Sequence, residues 1–526
     1  MLPYAKEKKA KTIRRTLTFG GMDLSAAPPE GTLKYSKNLS SCAYPYISVR
    51  EDRKQIKTLT NGSYLGYYNA LYYVDGTDFY YEDKVRGTVT PGEKQMAVIG
   101  KRIVIFPDKL CYNIEEDTME PLEVHFSHNL QEDAAKLHFT ENSITYETDN
   151  PDFSFVDMGF RAGDGITIDG FYTGEEEGVS PQDVWFADNN QTIVLRRVED
   201  CVLTFSDRSF SAITPTEKIG KTITISREVP NLAVVTEWNN RLWGAEGNTI
   251  YASKPGEPDN FFVYEGISTD GFAAAVGTGG DFTACHVLGS SLLFFKENGV
   301  HTIYGTRPQS FRITWKPMPG VAEKAGKSIT MLTDGLFYFG TRGPYIYNGA
   351  TCRFVGDVWG EQRFSDIISA SDGRLVYVAM TDEEGNRGLY TWNTQNGIWL
   401  REDDAYITAL CYDGRRMLLM TKNLLLSAVG GINHVEWEAH LNPLREENIF
   451  KKRYGKLWIR VELQRDAYIS VKVSLDDEPW VDCGTICEPG THLLPLHVRP
   501  CERLELRFCG EGDFRLREIA REYSEF

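Results

Sequence analysis

The sequence has no apolar run near the roughly 18–20 residues that a membrane-spanning helix requires. Its first stretch, Met1 to Arg15, is polar and basic without an apolar segment, so no secretory signal is expected. Cysteine is sparse, with 10 in 526 residues, and scattered: Cys42, Cys111, Cys201, Cys285, Cys352, Cys411, Cys483, Cys487, Cys501 and Cys509. No CxxC occurs, which argues against a disulfide framework and for synthesis in a reducing cytoplasm. Positive charge is also short. Lys and Arg number 57 against 74 Asp and Glu, for a net charge of −17. A chain this acidic is a poor general binder of nucleic acid or anionic membrane. Helical periodicity is scarce too, with short candidates at Gln131–Lys136 and Leu441–Phe450.

What the sequence does contain is strand punctuation. Apolar and polar residues alternate over four to eight positions and then meet Gly, Asn or Asp, which reads as an all-β chain. With 41% hydrophobic and 25% charged residues the composition is that of a folded protein. Its length suggests about three or four domains.

One unit recurs: a turn, an apolar strand, a second turn and an aromatic-rich strand. It occurs at 69–81, 100–112, 240–251, 291–304, 335–347, 373–392 and 414–426. The last five copies start about 40–50 residues apart, the period of a four-stranded propeller blade. A small twisted sheet cannot bury both faces alone, whereas a ring of sheets packs each on its neighbours. The sequence therefore predicts a β-propeller of about seven blades; unrelated hairpins in two β-sandwiches are the competing arrangement. The expected partition is a 1–60 N-terminal arm, 61–122 with two blades, 123–230 as an inserted small β-barrel or sandwich, 231–445 with five blades, and 446–526 as a C-terminal β-sandwich. Tyr46–Arg50 is the candidate for the strand that closes the last blade.

Catalytic and cofactor motifs are mostly missing. Gly220-Lys-Thr222 and Gly326-Lys-Ser328 end like a phosphate-binding loop, but Pro215 and Val321 stand where the first Gly belongs. No G-x-S-x-G elbow or H-E-x-x-H occurs. His125, His128 and His138, with Glu132 and Asp133 between, have the residue types of a divalent-cation site, or are plain linker residues. Cys483, Cys487, His492, His497, Cys501 and Cys509 are near in sequence without zinc-knuckle spacing. Ser474-Leu-Asp-Asp-Glu-Pro-Trp480 is similar to the Asp-box hairpin of some glycan-cleaving propellers, with Glu478 in place of its central Gly; a polar β-turn accounts for it equally. Glu175–Glu177 and Asp403–Asp404 are the carboxylates that a glycosidase pair would draw on, or solvated loop acids. No catalytic residue, metal or cofactor is assigned. The charge anomaly is Lys6, Lys8, Lys9, Lys11, Arg14 and Arg15, a basic arm on an acidic protein, suited to docking on a partner or to remaining a solvated tail.

Arg241-Leu-Trp-Gly-Ala-Glu-Gly-Asn-Thr-Ile-Tyr-Ala-Ser253, followed by Lys254-Pro-Gly-Glu-Pro-Asp-Asn-Phe261, resembles bacteriophage virion proteins of the short-tail hub or nozzle type, many called packaged-DNA stabilisation proteins. Leu292-Leu-Phe-Phe-Lys-Glu-Asn-Gly-Val300 and Phe508-Cys-Gly-Glu-Gly-Asp-Phe-Arg-Leu516 resemble further segments of that family. The likeness covers 231–430 best, is looser at 30–122 and omits the insertion. It implies an architecture and a role, with no catalytic residues. The role is a non-enzymatic ring, most often a hexamer, below the portal and its adaptor in the virion tail, made in the host bacterial cytoplasm. Such a ring extends the DNA channel, helps retain the packaged genome and contacts other tail proteins, with DNA passing through unread. An acidic lumen would repel phosphate and let DNA slide. The alternative is a glycan-binding or glycan-cleaving propeller. An intracellular scaffold is a third reading, although the Gly-His and Trp-Asp pairs of WD40 repeats do not recur.

Overall fold

The computed structural model describes residues 11–130, 136–172, 185–205, 210–215, 222–444, 446, 450–496 and 498–525. The chain is all-β and divides into two compact units, 1–84 with 319–526, and 85–318. Among the described residues seven four-stranded antiparallel sheets recur, at 62–88, 95–121, 234–275, 284–317, 330–354, 364–403, and 407–430 completed by Arg53–Thr58. All seven copies of the sequence repeat fall on the second and third strands of these sheets. The repeat is visible because those two strands are the most buried. Gly335–Gly340 and Ser291–Lys296, for example, are apolar and almost wholly covered. The hairpin between Val234–Trp238 and Arg241–Glu246 turns on Asn239 and Asn240, with φ of 54° and 56°, the left-handed pair that a two-residue hairpin needs.

Within each unit the first strands of successive sheets lie side by side. In one, Thr330–Leu332, Phe364–Ser371, Ile407–Tyr412 and Gly62–Tyr68 follow in order; in the other, Gln95–Ile99, Val234–Trp238 and Ala284–Leu288 do. The faces between neighbouring sheets are packed. Leu65, Tyr73, Leu418, Met420 and Leu425 fill one such layer, and Trp238, Trp243, Ile250, Leu292 and Phe294 another.

The last four-stranded sheet takes its outer strand from Arg53–Thr58, which pairs with Leu424–Gly430. Tyr46–Arg50 does not supply it: Ile47–Val49 pairs instead with Phe514–Glu525. Arg53–Thr58 has Ile56 as its one apolar residue and is mostly exposed, so its own sequence gives no strand alternation; its pairing with Leu424–Gly430 makes it a strand.

The C-terminal sandwich draws on both ends of the chain. One sheet has the order Leu39–Ser40, Ile47–Val49, Phe514–Glu525, Lys452–Leu463, Gly490–Pro495, with Thr12–Thr16 also on Phe514–Glu525. The other runs Leu33–Lys37, Glu436–Leu441, Leu504–Glu511, Tyr468–Leu475, Val481–Ile486. Trp437 of one sheet stacks on Phe514 of the other at 3.7 Å. The sandwich thus includes residues below 60 and begins before 446. Glu436–Leu441, expected to belong to a blade, pairs with Leu504–Glu511. Of the helix expected at Leu441–Phe450, Leu441 ends that strand and Leu444 bridges to Leu504, while 445 and 447–449 lie outside the described residues. Of the helix expected at Gln131–Lys136, residues 131–135 lie outside the described residues.

The insertion forms one seven-stranded antiparallel sheet around a Phe-rich core that includes Phe126, Phe139, Phe155, Phe160, Phe171 and Phe205. Its end strands, Val124–Asn129 and Leu137–Phe139, do not pair with each other, so the sheet is not a closed barrel.

Candidate functional site

The basic arm is partly spent within the chain. Thr12–Thr16 is a strand on Phe514–Glu525, with Arg14 opposite Arg521. Lys11 pairs with Glu522 at 2.7 Å, and Arg15 with Glu518 at 2.5 Å. Arg14 reaches Glu30 at 3.1 Å and Glu446 at 3.8 Å. Beneath it the buried Arg521 guanidinium holds Glu446, with Nη2 to Oε2 at 3.0 Å, and donates to Thr16 and Glu30, both at 3.1 Å. Burial works against the Arg521 charge; Glu446 and Glu30 outweigh it and hold the group above its ordinary range. Lys6, Lys8 and Lys9 lie outside the described residues.

The segment that carries the family resemblance is a clamp. Arg241 is buried and donates to the carbonyls of Ser253 (2.8 Å), Ser268 (2.9 Å) and Asp270, fastening the loop that follows its own hairpin. Ser253 Oγ accepts the Leu242 amide at 3.0 Å and donates to the Lys254 carbonyl. Asn260 faces the insertion: its Nδ2 donates to the Gly163 carbonyl at 2.9 Å, and its Oδ1 accepts the Gly165 amide at 3.2 Å. Asp259 pairs with Arg161 at 2.5 Å and with Arg227 at 3.2 Å. Arg227 in turn holds Asp164 at 2.6 Å and donates to the Gly159 carbonyl at 2.9 Å. Burial pushes the Asp164 carboxyl up, against the pull of Arg227 and Arg161. The approach is close, since a Cβ on Gly165 would sit 2.2 Å from the Phe262 carbonyl oxygen. In the second segment Lys296 is equally structural: its buried ammonium donates to Asn248 (2.6 Å), the Thr278 carbonyl (2.8 Å) and the Gly280 carbonyl (2.5 Å).

Other singled-out residues have local partners. His125 is exposed and near Glu123, His128 is buried on the opposite face of the same strand, and His138 meets Thr214 at 2.9 Å. Glu132 and Asp133, like Glu175–Glu177, Gly220, Lys221 and His497, fall outside the described residues. Among the described residues no group of three His, Cys, Asp or Glu is placed to hold a metal ion. Gly326–Ser328 is a 3-10 turn whose buried Ser328 Oγ accepts the Phe339 amide at 3.0 Å. Cys501 is in the core, Cys509 lies on the other sheet, and His492 Nε2 is 2.8 Å from the Glu488 carbonyl. Asp403 pairs with Arg53 at 2.7 Å and Asp404 with Arg401.

Two cavities matter. One, of about 560 Å³, is lined by Ser40–Ala43, Arg50, Tyr377, Glu402, Glu462 and Asp513 among others. Its Glu402 is already compensated: Arg53 holds Glu402 and the neighbouring Asp403, each at 2.7 Å, and Arg50 lies within 3.8 Å of both. Burial and the adjacent Arg53 draw Arg50 below its ordinary range. The other, of about 520 Å³, opens on the outer face of the Leu33–Lys37 sheet. Tyr35 and His440 are cross-strand partners there, with rings 5.1 Å apart, and Trp480 lies 5.4 Å beyond His440. Around these rings stand Glu438, Asp477, Glu478 and Glu505. Sequence reading found the Asp477–Trp480 corner through its turn. It missed Tyr35, Glu438, His440 and Glu505, which come from three separate strands with ordinary alternation.

No family model matches the chain, and no curated protein matches it. Slight likenesses to solved structures exist. The N-terminal domain of Nup159 has a TM-score of 0.30 and 7% identity over 78% of this chain and 99% of that one. PorZ of Porphyromonas gingivalis, a surface component of a type-IX secretion system, gives 0.27 and 11% over 89% and 71%. An exo-β-1,3-galactanase of Phanerochaete chrysosporium gives 0.21 and 8% over 55% and 95%. Likenesses of this size carry no argument about function.

Proposed function

We propose that the chain is a non-enzymatic structural protein of a bacteriophage tail, of the hub or nozzle type. Its seven four-stranded sheets are the blades of one propeller, closed by Arg53–Thr58 as the outer strand of the last. Copies assemble as a ring, a hexamer, below the portal and adaptor, extend the DNA channel and help retain the packaged genome. The observation that carries this reading is the Arg241–Phe261 clamp. The residues through which the chain resembles that family are buried and engaged with backbone carbonyls and neighbouring charges, as expected of a family defined by architecture rather than by a reaction. The net charge of −17 suits a passage that repels phosphate. In a cyclic ring each interface joins two different patches of the chain. Because Lys11, Arg14 and Arg15 have partners inside the chain, docking onto the ring above falls to Lys6, Lys8 and Lys9.

The test is the mass of the purified chain by light scattering, alone and with a portal–adaptor complex. A stoichiometric ring on the complex is expected. A chain that stays monomeric and binds no portal complex would sink the reading. The glycan-binding alternative has one observation in its favour, the ring-lined hollow at Tyr35, His440 and Trp480.

A further inference from the structure

The hairpin Ser474–Trp480 is explained only in part by its turn. Asp476 Oδ1 accepts the amides of Glu502 and Arg503 at 3.0 and 2.9 Å, and Ser474 Oγ donates to the Glu478 carbonyl at 2.5 Å. These contacts fix the turn and leave Asp477, Glu478 and Trp480 directed to the hollow. We infer that this hollow is a binding site for an uncharged saccharide, held by Tyr35, His440 and Trp480 against its ring faces and by the carboxylates of Glu438, Glu478 and Glu505 at its hydroxyls.

The hollow has the size of a small-ligand site, about 520 Å³ against the usual range of roughly 300–1,000 Å³. Its floor is preformed. Cross-strand pairing sets Tyr35 beside His440 and His440 beside Arg507, so the row of groups is fixed by register and not by a mobile loop. Amphipathic rings in a row suit the apolar C–H face of a pyranose. Ionised carboxylates accept hydrogen bonds, and sugar hydroxyls donate them. Two of these carboxylates are oriented by arginines through one oxygen: Glu438 Oε1 lies 2.5 Å from Arg507, and Glu478 Oε1 2.6 Å from Arg499. Among the described residues no hydrogen bond is seen to their second oxygens, which face a ligand's hydroxyls in this arrangement. Glu505 is buried and lies against Asp477.

The charge balance selects the ligand class. Each carboxylate has a cationic partner, Glu438 with Arg507, Asp477 with Arg503, Glu478 with Arg499 and Glu505 with Lys34, so among the described residues the hollow is charge-compensated and offers an anionic ligand no free cation. A cationic ligand is disfavoured for another reason. Tyr35 already carries the Arg401 guanidinium at 5.5 Å from its ring centre, and Trp480 that of Arg507 at 6.0 Å. Each of these rings already has a cation over one face, which would repel a second cation nearby. A flat, neutral, hydroxyl-rich ligand satisfies both conditions.

This site stands apart from the proposed ring and is tested on the isolated full-length chain. Saturation-transfer NMR and titration calorimetry would use chitotriose, cellotriose and galactotriose, with sialyllactose and lysine methyl ester as charged controls. At least one neutral trisaccharide is expected to bind with millimolar affinity or better. Its affinity should fall tenfold or more in Trp480→Ala and in the exposed-site variant Glu478→Gln, the latter melting as the parent does. Binding by none of the three, binding that survives both variants, or binding by the lysine ester alone would overturn the inference. Light scattering reports the ring separately, so either idea can fail without the other.

Discussion

At the residue scale, the strongest constraints are buried charges. Arg227 is 3% exposed and lies between Asp164 and Asp259. Removing one partner of such a cluster leaves an uncompensated charge in a low dielectric, at a cost of about 3–5 kcal/mol. Arg227→Met should therefore lower unfolding stability by that order in urea titrations, and the deficit should shrink at low pH as Asp164 takes up a proton. A deficit below about 1 kcal/mol at neutral pH would show that the clamp is not under load. His301 makes a second case. Burial, and then the nearby Lys296, depress it to about 4, while its Nε2 meets Thr278 Oγ1 at 2.8 Å. The folded protein holds this ring neutral, whereas the unfolded chain protonates it near pH 6.5. Between those values the unfolded state binds more protons, so its contribution is intact above about pH 6.5 and is lost as the pH falls towards 4. Melting temperature should decline across that window, and His301→Gln should flatten the decline; an unchanged slope would refute the assignment.

At the scale of elements, the N-terminal strand separates two roles that the charge pattern ran together. Thr12–Thr16 belongs to the sandwich and covers Arg521, whereas Lys6, Lys8 and Lys9 precede it. Deleting residues 1–10 should leave the melting temperature unchanged and weaken capture by a portal–adaptor complex. Deleting 1–17 should also lower the melting temperature, because Arg521 loses its Thr16 acceptor and the strand edge it faces is opened. If both deletions melt alike, the strand is not part of the fold's stability. The repeat was legible in the sequence because its two central strands are buried on both faces, so their apolar runs and turn residues recur whatever lies around them. Ring and carboxylate groups such as Tyr35, Glu438 and Glu505 were not. Each sits at an outward position of a strand whose alternation is satisfied with or without a ligand, and they meet only through pairing across some 400 residues of sequence. The closing strand was misplaced for a different reason: 46–50 alternates as a strand should, whereas Arg53–Thr58 has Ile56 as its one apolar residue and is a strand through its pairing with Leu424–Gly430.

For the whole molecule, net charge makes the most general prediction. At −17 per chain, the ring proposed above would confront DNA with a strongly acidic wall. Proteins that neutralise phosphates bind duplex DNA most tightly at low salt, because counterions are released. A conduit for DNA requires the opposite, since every phosphate contact is friction during passage. The full chain should therefore leave the electrophoretic mobility of duplex DNA unchanged even at low ionic strength, where the Debye length reaches about 30 Å at 0.01 M and any basic patch would act at long range. Raising the salt should instead favour assembly, because screening weakens the repulsion between like-charged copies and leaves apolar contacts intact. Light scattering across a salt series would read that directly. A salt-sensitive shift of DNA, or a ring that dissociates as salt rises, would place the positive charge of this protein on the channel and not on its docking arm.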